Sequence, residues 1–114
     1  MKWIGVDLDG TLAHYESGQG IETIGPPVPA MVARVRRWLE SGQEVRIVTA
    51  RASGPCKAWQ VVLIRDWCEA HVGARLFVTD RKDHHMVALY DDRAVSVEKN
   101  TGVLLSSPHD GVDS

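Results

Sequence analysis

Short apolar runs alternate with longer segments in which apolar residues recur at helical spacing. Runs rich in branched and aromatic residues predict strands at 3–8, 45–49, 75–79, 87–90 and, less regularly, 95–98. Apolar positions three and four residues apart predict helices at 30–41 and at about 57–72. Strands that alternate with helices are typical of an α/β fold, with right-handed crossovers, a parallel sheet and helices on its faces.

The segment 13–29 differs from the rest of the chain because it contains three glycines and three prolines. This composition predicts a loop or flap with at most a short hairpin. At 114 residues the chain is the size of one domain, which we place at 1–104. We expect the remaining residues, 105–114, to form a disordered tail.

Composition and charge exclude several classes of protein. Hydrophobic residues make up 44% and the net charge is −2, which favours an ordinary folded domain over a basic nucleic-acid binder. There is no apolar run long enough for a transmembrane helix, and the N-terminal apolar stretch is too short for a signal peptide. Cys56 and Cys68 are interpreted as free thiols, with a disulfide as the alternative, so we expect a cytoplasmic protein.

Polar residues follow each of the first four predicted strands. In chain order they are Asp7 and Asp9, then Thr49 and Arg51, then Lys82, and finally Asp91, Asp92 and Arg93. In open parallel sheets the ligand site lies at the carboxyl ends of the strands, so these side chains are candidates for one site. Carboxylates clustered there need a counter-charge, and oxygen ligands without clustered Cys or His favour Mg²⁺.

The chain resembles the haloacid dehalogenase-like (HAD) phosphohydrolases over roughly residues 2–104. The resemblance is carried by Asp-Leu-Asp-Gly-Thr-Leu at 7–12, Thr49, Lys82 and the paired acids Asp91 and Asp92. Thr-Ala-Arg at 49–51 and Leu-Tyr-Asp-Asp-Arg-Ala-Val at 89–95 are similar to the small capless members from bacteria and phages, and more loosely to polynucleotide 3′-phosphatase domains. The resemblance implies a three-layer Rossmann-like core of about five strands, with helices on both faces and no cap domain.

The resemblance also implies a role for each residue. Asp7 would be the nucleophile that forms an aspartyl-phosphate, and Asp9 would protonate the leaving group and then activate water. The residues implied to hold Mg²⁺ are Asp7, Asp9 through its main-chain carbonyl, Asp91 and Asp92. The residues implied to contact the phosphate are Gly10, Thr49 and Lys82.

Several residues have two interpretations. Arg51 and Arg93 could grip a second phosphate or carboxylate of the substrate, or could be structural partners of the acids. Tyr15 and His14, on the flap, are candidates for substrate contact.

The expected function is that of a Mg²⁺-dependent phosphomonoester hydrolase. The alternative is a HAD-like protein that binds a nucleotide or a partner without turnover. The order of the acidic motifs argues against a phospho-receiver, and the second acid, Asp9, argues against a dehalogenase. Because no interval can hold a cap, the substrate would be a bulky or nucleic-acid phosphoester end, or a second copy of the chain would cover the site. A small metabolite acted on by a monomer is the third option.

Overall fold

A four-stranded parallel sheet is the centre of the part of the chain that the structure describes, and two α-helices pack on it. The computed structural model describes residues 2–105 of the chain. The elements are β1 (Trp3–Val6), α1 (Pro29–Glu40), β2 (Glu44–Val48), a 3₁₀ turn (Ala50–Ala52), α2 (Lys57–His71), β3 (Phe77–Thr79) and β4 (Met86–Tyr90). The strands lie in the order β3-β2-β1-β4, and every neighbouring pair is parallel. The predicted α/β class and parallel sheet are therefore confirmed.

Local sequence explains where the first helix begins and which of its faces is buried. Pro29 occupies the first turn of α1, where its fixed φ suits the helix and its missing N–H leaves no bond unmade. Met31, Val32 and Val35 recur at three- and four-residue spacing and are buried. The apolar positions that predict the helix are thus the positions that α1 buries against the rest of the fold.

Both helices cover the same face of the sheet, so the predicted helices on both faces and the three-layer architecture are wrong for residues 2–105. Ile4 and Ile47 of the sheet share one core with Val35 of α1 and Ile64 of α2. Strand order explains the arrangement. The crossovers from β1 to β2 and from β2 to β3 step in the same direction, and right-handed crossovers that step in one direction place their helices on one face. The return from β3 to β4 spans only residues 80–85, which is too short for a covering helix.

The opposite face of the sheet carries its own side chains. Gly5 lies in its middle, and a Cβ there would come within 3.0–3.2 Å of Val48, Met86 and Leu89, so glycine lets these three side chains meet. Beside them, the Arg46 guanidinium lies over the rings of Trp3 and Phe77, at 4.5 and 5.2 Å from their centroids. Apolar contacts and cation–π packing therefore close part of a face that no described helix covers.

The predicted fifth strand at 95–98 does not join the sheet. Val97 instead pairs with Leu104 in an isolated antiparallel bridge, around a turn in which Asn100 has a φ of 69°. The sheet formed by residues 2–105 therefore has four strands. The predicted disordered tail, apart from Leu105, lies outside the described residues.

The segment 13–29, for which the sequence predicts a loop or flap, is closed at its base by main-chain pairing. Ala13 bridges Pro27, His14 N–H donates to the Pro26 carbonyl at 2.8 Å, and Val28 N–H donates to the Leu12 carbonyl at 2.8 Å. Among residues 2–105 no further domain lies over the sheet, in agreement with the predicted absence of a cap.

Two remaining predictions concern the thiols and the membrane. Cys56 and Cys68 are both free, which confirms the interpretation as thiols, and burial raises the pKa of Cys68 to about 12. No helix in the described part of the chain is both long and apolar enough to cross a bilayer.

Candidate active site

A cavity of about 590 Å³ opens where the carboxyl ends of the strands meet. All four strands contribute to it directly or through the residues that follow them, because parallel strands end at the same edge of the sheet. Its charged lining residues are five acids, Asp7, Asp9, Asp80, Asp91 and Asp92, and two arginines, Arg51 and Arg93. Most of the residues that the sequence proposes for one site therefore do share one cavity.

The chain turns sharply after β1, and this turn brings Asp7 and Asp9 to the same cavity. The N–H groups of Thr11, Leu12 and Ala13 all donate to the Leu8 carbonyl, at 2.9–3.2 Å. Gly10 lies inside the turn with a φ of 89°, and a Cβ there would lie 2.7 Å from Asp92 Oδ2. Glycine is required here both for the positive φ and for the close approach of the β4 loop.

Three carboxylates form an acidic cluster in the cavity. Ligand oxygens of Asp7, Asp91 and Asp92 all lie within 4.8 Å of one another. Burial, a hydrogen bond with Asp92 and the charges of Asp91 and Asp92 raise the pKa of Asp7 from 3.8 to about 7. The cluster thus holds more negative charge than its partly buried position stabilises, and it is made of the oxygen donors that Mg²⁺ prefers.

Thr11 ties the two acidic loops together, although the sequence analysis gave it no role. Its hydroxyl donates to Asp92 Oδ1 at 3.0 Å and accepts from the Asp92 N–H at 2.9 Å. The same hydroxyl lies 3.4 Å from Asp7 Oδ2. Its place in the sequence directly after the Asp7–Gly10 turn offered a signal, since a hydroxyl close to two carboxylates is positioned to bridge them.

Asp9 is held by a two-pronged ion pair with Arg51. Arg51 Nε donates to Asp9 Oδ2 at 2.7 Å, and its Nη2 donates to Asp9 Oδ1 at 3.1 Å. The arginine side chain is 9% exposed and that of Asp9 is 23% exposed, so the pair is only partly open to solvent. Of the two interpretations of Arg51, the structure shows a partner of an acid, and that acid is Asp9 rather than Asp91 or Asp92.

Thr49 is buried at the end of β2 and lines the cavity. Its hydroxyl oxygen accepts the N–H of Arg51 at 3.2 Å and so caps the 3₁₀ turn. Among the described residues no acceptor for its own O–H is found. The hydroxyl can therefore cap the turn and still donate to a phosphoryl oxygen in the cavity.

Three of the proposed contacts, Gly10, Lys82 and His14, do not line the cavity. Lys82 is exposed and does not line it, whereas Asp80, which the sequence analysis gave no role, does. Arg93 lines the cavity together with Asp91 and Asp92, the expected metal ligands that precede it in the sequence. On the flap, Tyr15 lines the cavity and is 47% exposed. His14 does not line it, and its ring pairs with Glu16 at 2.6 Å.

Comparison with known proteins supports the fold alone. No protein-family model matches the chain, and no curated protein matches it. A solved structure of a conserved protein from Bacteroides thetaiotaomicron is similar, with a TM-score of 0.56 and 20% sequence identity. The similarity covers 81% of this chain and 76% of that one. The parallel α/β arrangement is therefore shared with a protein of known structure.

Proposed function

We propose that the chain is a Mg²⁺-dependent phosphomonoester hydrolase of the HAD type that acts through an aspartyl-phosphate on Asp7. The observation that carries the proposal is the convergence of Asp7, Asp9 and the Thr49 hydroxyl on one cavity with the carboxylates of Asp91 and Asp92. The reaction needs a nucleophile, an acid–base group, a hydrogen-bond donor to the phosphoryl oxygens and carboxylates that can bind a metal ion.

The donor set fits Mg²⁺. Asp7, Asp91 and Asp92 offer only oxygen ligands, and the raised pKa of Asp7 marks a site that lacks positive charge. A bound Mg²⁺ would neutralise charge on the phosphoryl oxygens and favour the ionised form of Asp7. Because five acids and two arginines line the cavity, a phosphate dianion needs such a cation to enter.

The proposed reaction has two steps, formation of the aspartyl-phosphate and its hydrolysis. Asp7 Oδ attacks phosphorus in line, the bond to the leaving oxygen breaks, and Asp9 gives its proton to that oxygen. In the second step Asp9 takes a proton from water, and the resulting hydroxide attacks the aspartyl-phosphate to release phosphate and the Asp7 carboxylate. The Thr49 O–H donates to a phosphoryl oxygen in both steps.

One observation favours the second candidate, binding of a phosphorylated nucleotide or partner without turnover. The cation expected from Lys82 lies outside the cavity, and Arg51 is occupied by Asp9. Under the catalytic proposal, Arg93 is the lining cation left to meet the phosphate. Under the binding proposal, the cavity would hold the phosphate and leave it intact.

Turnover of aryl and alkyl phosphates with and without Mg²⁺ separates the two candidates. Asp7→Asn should abolish turnover, and Asp9→Asn should lower it on the order of 10²-fold or more, as expected for loss of a general acid. Asp66→Asn is the matched control, because Asp66 pairs with Arg75 on the protein surface away from the cavity. Near-normal turnover by Asp7→Asn would refute the covalent mechanism, and phosphate binding without any turnover would favour the binding function.

A panel of substrates addresses the second open question, which is access to the cavity. It should include small phosphorylated metabolites and oligonucleotides with a 3′- or 5′-phosphate, and the mass of the protein in solution should be measured alongside. An open site predicts higher efficiency on the oligonucleotide ends. A site covered by a second copy predicts a dimer or larger assembly. A monomer that is efficient only on small metabolites would contradict both.

A further inference from the structure

Arg51 uses every N–H of its guanidinium on the protein itself. Besides the two bonds to Asp9, its Nη1 donates to the Ile21 carbonyl at 2.9 Å and to Gln60 Oε1 at 3.2 Å. Its Nη2 also donates to the Thr23 carbonyl at 2.7 Å. The five donors of the planar group are therefore shared between one carboxylate, two flap carbonyls and a side chain of α2.

This arrangement leaves the guanidinium no free donor for a substrate. A phosphate could gain a bond from Arg51 only if one of these five bonds broke, in a side chain that is 9% exposed. The geometry also matches what arginine does best, since its paired Nε and Nη2 donors meet both oxygens of one carboxylate. The contacts thus favour a role within the protein over a role in gripping the ligand.

We propose that Arg51 is a positioning residue that fixes the Asp9 carboxylate at the cavity and couples it to the flap segment 21–23. The proposal rests on the proposed function, because Asp9 is its acid–base group. Nε and Nη2 of Arg51 hold the two oxygens of Asp9 in one orientation. The hydrogen bonds from Nη1 and Nη2 to the flap carbonyls in turn fix the position of the guanidinium. Displacement of the flap would therefore reach Asp9 through one rigid, planar group.

Gln60 provides the matched comparison because it anchors the same flap without touching Asp9. Its side chain is buried, and its Nε2 donates to the Ile21 carbonyl at 2.7 Å. A general loosening of the flap should result from changing either residue. Because the Gln60 variant keeps both bonds from Arg51 to Asp9, loss of the Asp9 orientation should be smaller in it than in the Arg51 variant.

The kinetic test compares leaving groups. An aryl phosphate such as para-nitrophenyl phosphate needs little protonation as it leaves, whereas an alkyl phosphate depends on the general acid. Arg51→Ala should therefore lower kcat/KM for the alkyl ester on the order of ten-fold more than for the aryl ester. Gln60→Ala removes one flap anchor and one acceptor of Arg51 but leaves both Arg51–Asp9 bonds, so it should give a smaller difference between the two esters than Arg51→Ala does. If Arg51→Ala does not fold, Arg51→Lys gives the same comparison, because lysine keeps the charge and lacks the paired donors. An equal fall for both esters in the Arg51 variants would overturn the proposal.

A stability cycle tests the coupling without turnover. Melting temperatures are measured for the wild-type chain, Arg51→Ala, Asp9→Asn and the double variant. If Arg51 and Asp9 are coupled, the melting temperature of the double variant falls by less than the sum of the falls in the two single variants. A fall equal to that sum would overturn the inference. If the wild-type chain turns over neither ester while the cycle shows coupling, the proposed function fails and the Arg51–Asp9 link stands.

Discussion

Asp7→Asn should stabilise the metal-free protein at neutral pH, even though it removes the proposed nucleophile. The pKa of Asp7 is raised from 3.8 to about 7, first by burial and then by Asp92 and Asp91. At about 1.4 kcal/mol per pKa unit, the penalty for ionising Asp7 in the folded state has an upper bound of about 4 kcal/mol. Because the cavity is open to water, which screens these charges, we expect roughly 1–3 kcal/mol.

The sign of the effect depends on pH. The folded state binds the Asp7 proton more tightly than the unfolded state, so its contribution to stability is complete below pH 4 and is lost as pH rises through 7. The free energy of unfolding of the wild-type chain should therefore fall between pH 5 and pH 8 relative to that of Asp7→Asn. The neutral amide has nearly the same shape and does not titrate.

Urea denaturation followed by circular dichroism, in a chelator, measures the two free energies of unfolding at pH 5 and pH 8. Asp83→Asn is the control, because it should lower the free energy of unfolding, whereas Asp7→Asn should raise it. Hydrogen bonds from the Trp3 indole and from the His85 N–H hold the pKa of Asp83 below its usual range, so its contribution is already complete at pH 5. That variant should lose stability at both pH values. A difference between the wild-type chain and Asp7→Asn that is the same at pH 5 and pH 8 would refute the reasoning.

Two further predictions concern the acidic loops. Gly10→Ala should destabilise the fold by about 1–2 kcal/mol or more, because alanine must adopt a φ of 89° and its Cβ would lie 2.7 Å from Asp92 Oδ2; a melting temperature equal to that of the wild-type chain would show that the turn relaxes. Millimolar Mg²⁺ should raise the melting temperature of the wild-type chain by mass action, and Asp91→Ala should abolish that gain while Asp66→Ala keeps it. A gain that survives in Asp91→Ala would remove this residue from the metal site.

The sequence predicts the elements and the location of the site because both depend on local patterns. Branched apolar runs mark the buried strands, and the residues that follow β1, β2 and β4 line the cavity because parallel strands end at one edge. Asp7, Thr49 and Asp91 could thus be assigned to one site before any contact was known. Their hydrogen-bond partners could not, because these come from distant parts of the chain.

The wrong predictions depended on non-local information. Which face a helix covers is decided by the order of the strands, and the apolar pattern of a strand does not contain that order. The run at 95–98 has strand composition, yet Val97 finds its partner in Leu104 within a local turn and not in the sheet. Three of the partners of Arg51, namely Asp9, Ile21 and Thr23, are likewise separated from it by 28 to 42 residues along the chain, so its role emerges only from the fold.

The order of the strands also fixes when the site can form during synthesis of the chain. Of the four strands in residues 2–105, β4 is the last to leave the ribosome, yet it pairs with β1, which leaves first of the four, and Asp7 N–H donates to the Tyr90 carbonyl at 2.9 Å. A nascent chain that ends before Met86 already contains both helices and the strands they pack on, but the edge of β1 is unpaired and two of the three clustered acids are missing. During synthesis the acidic cluster can therefore form only after both helices and the strands they pack on have been made, and the charge repulsion within it cannot arise before that point.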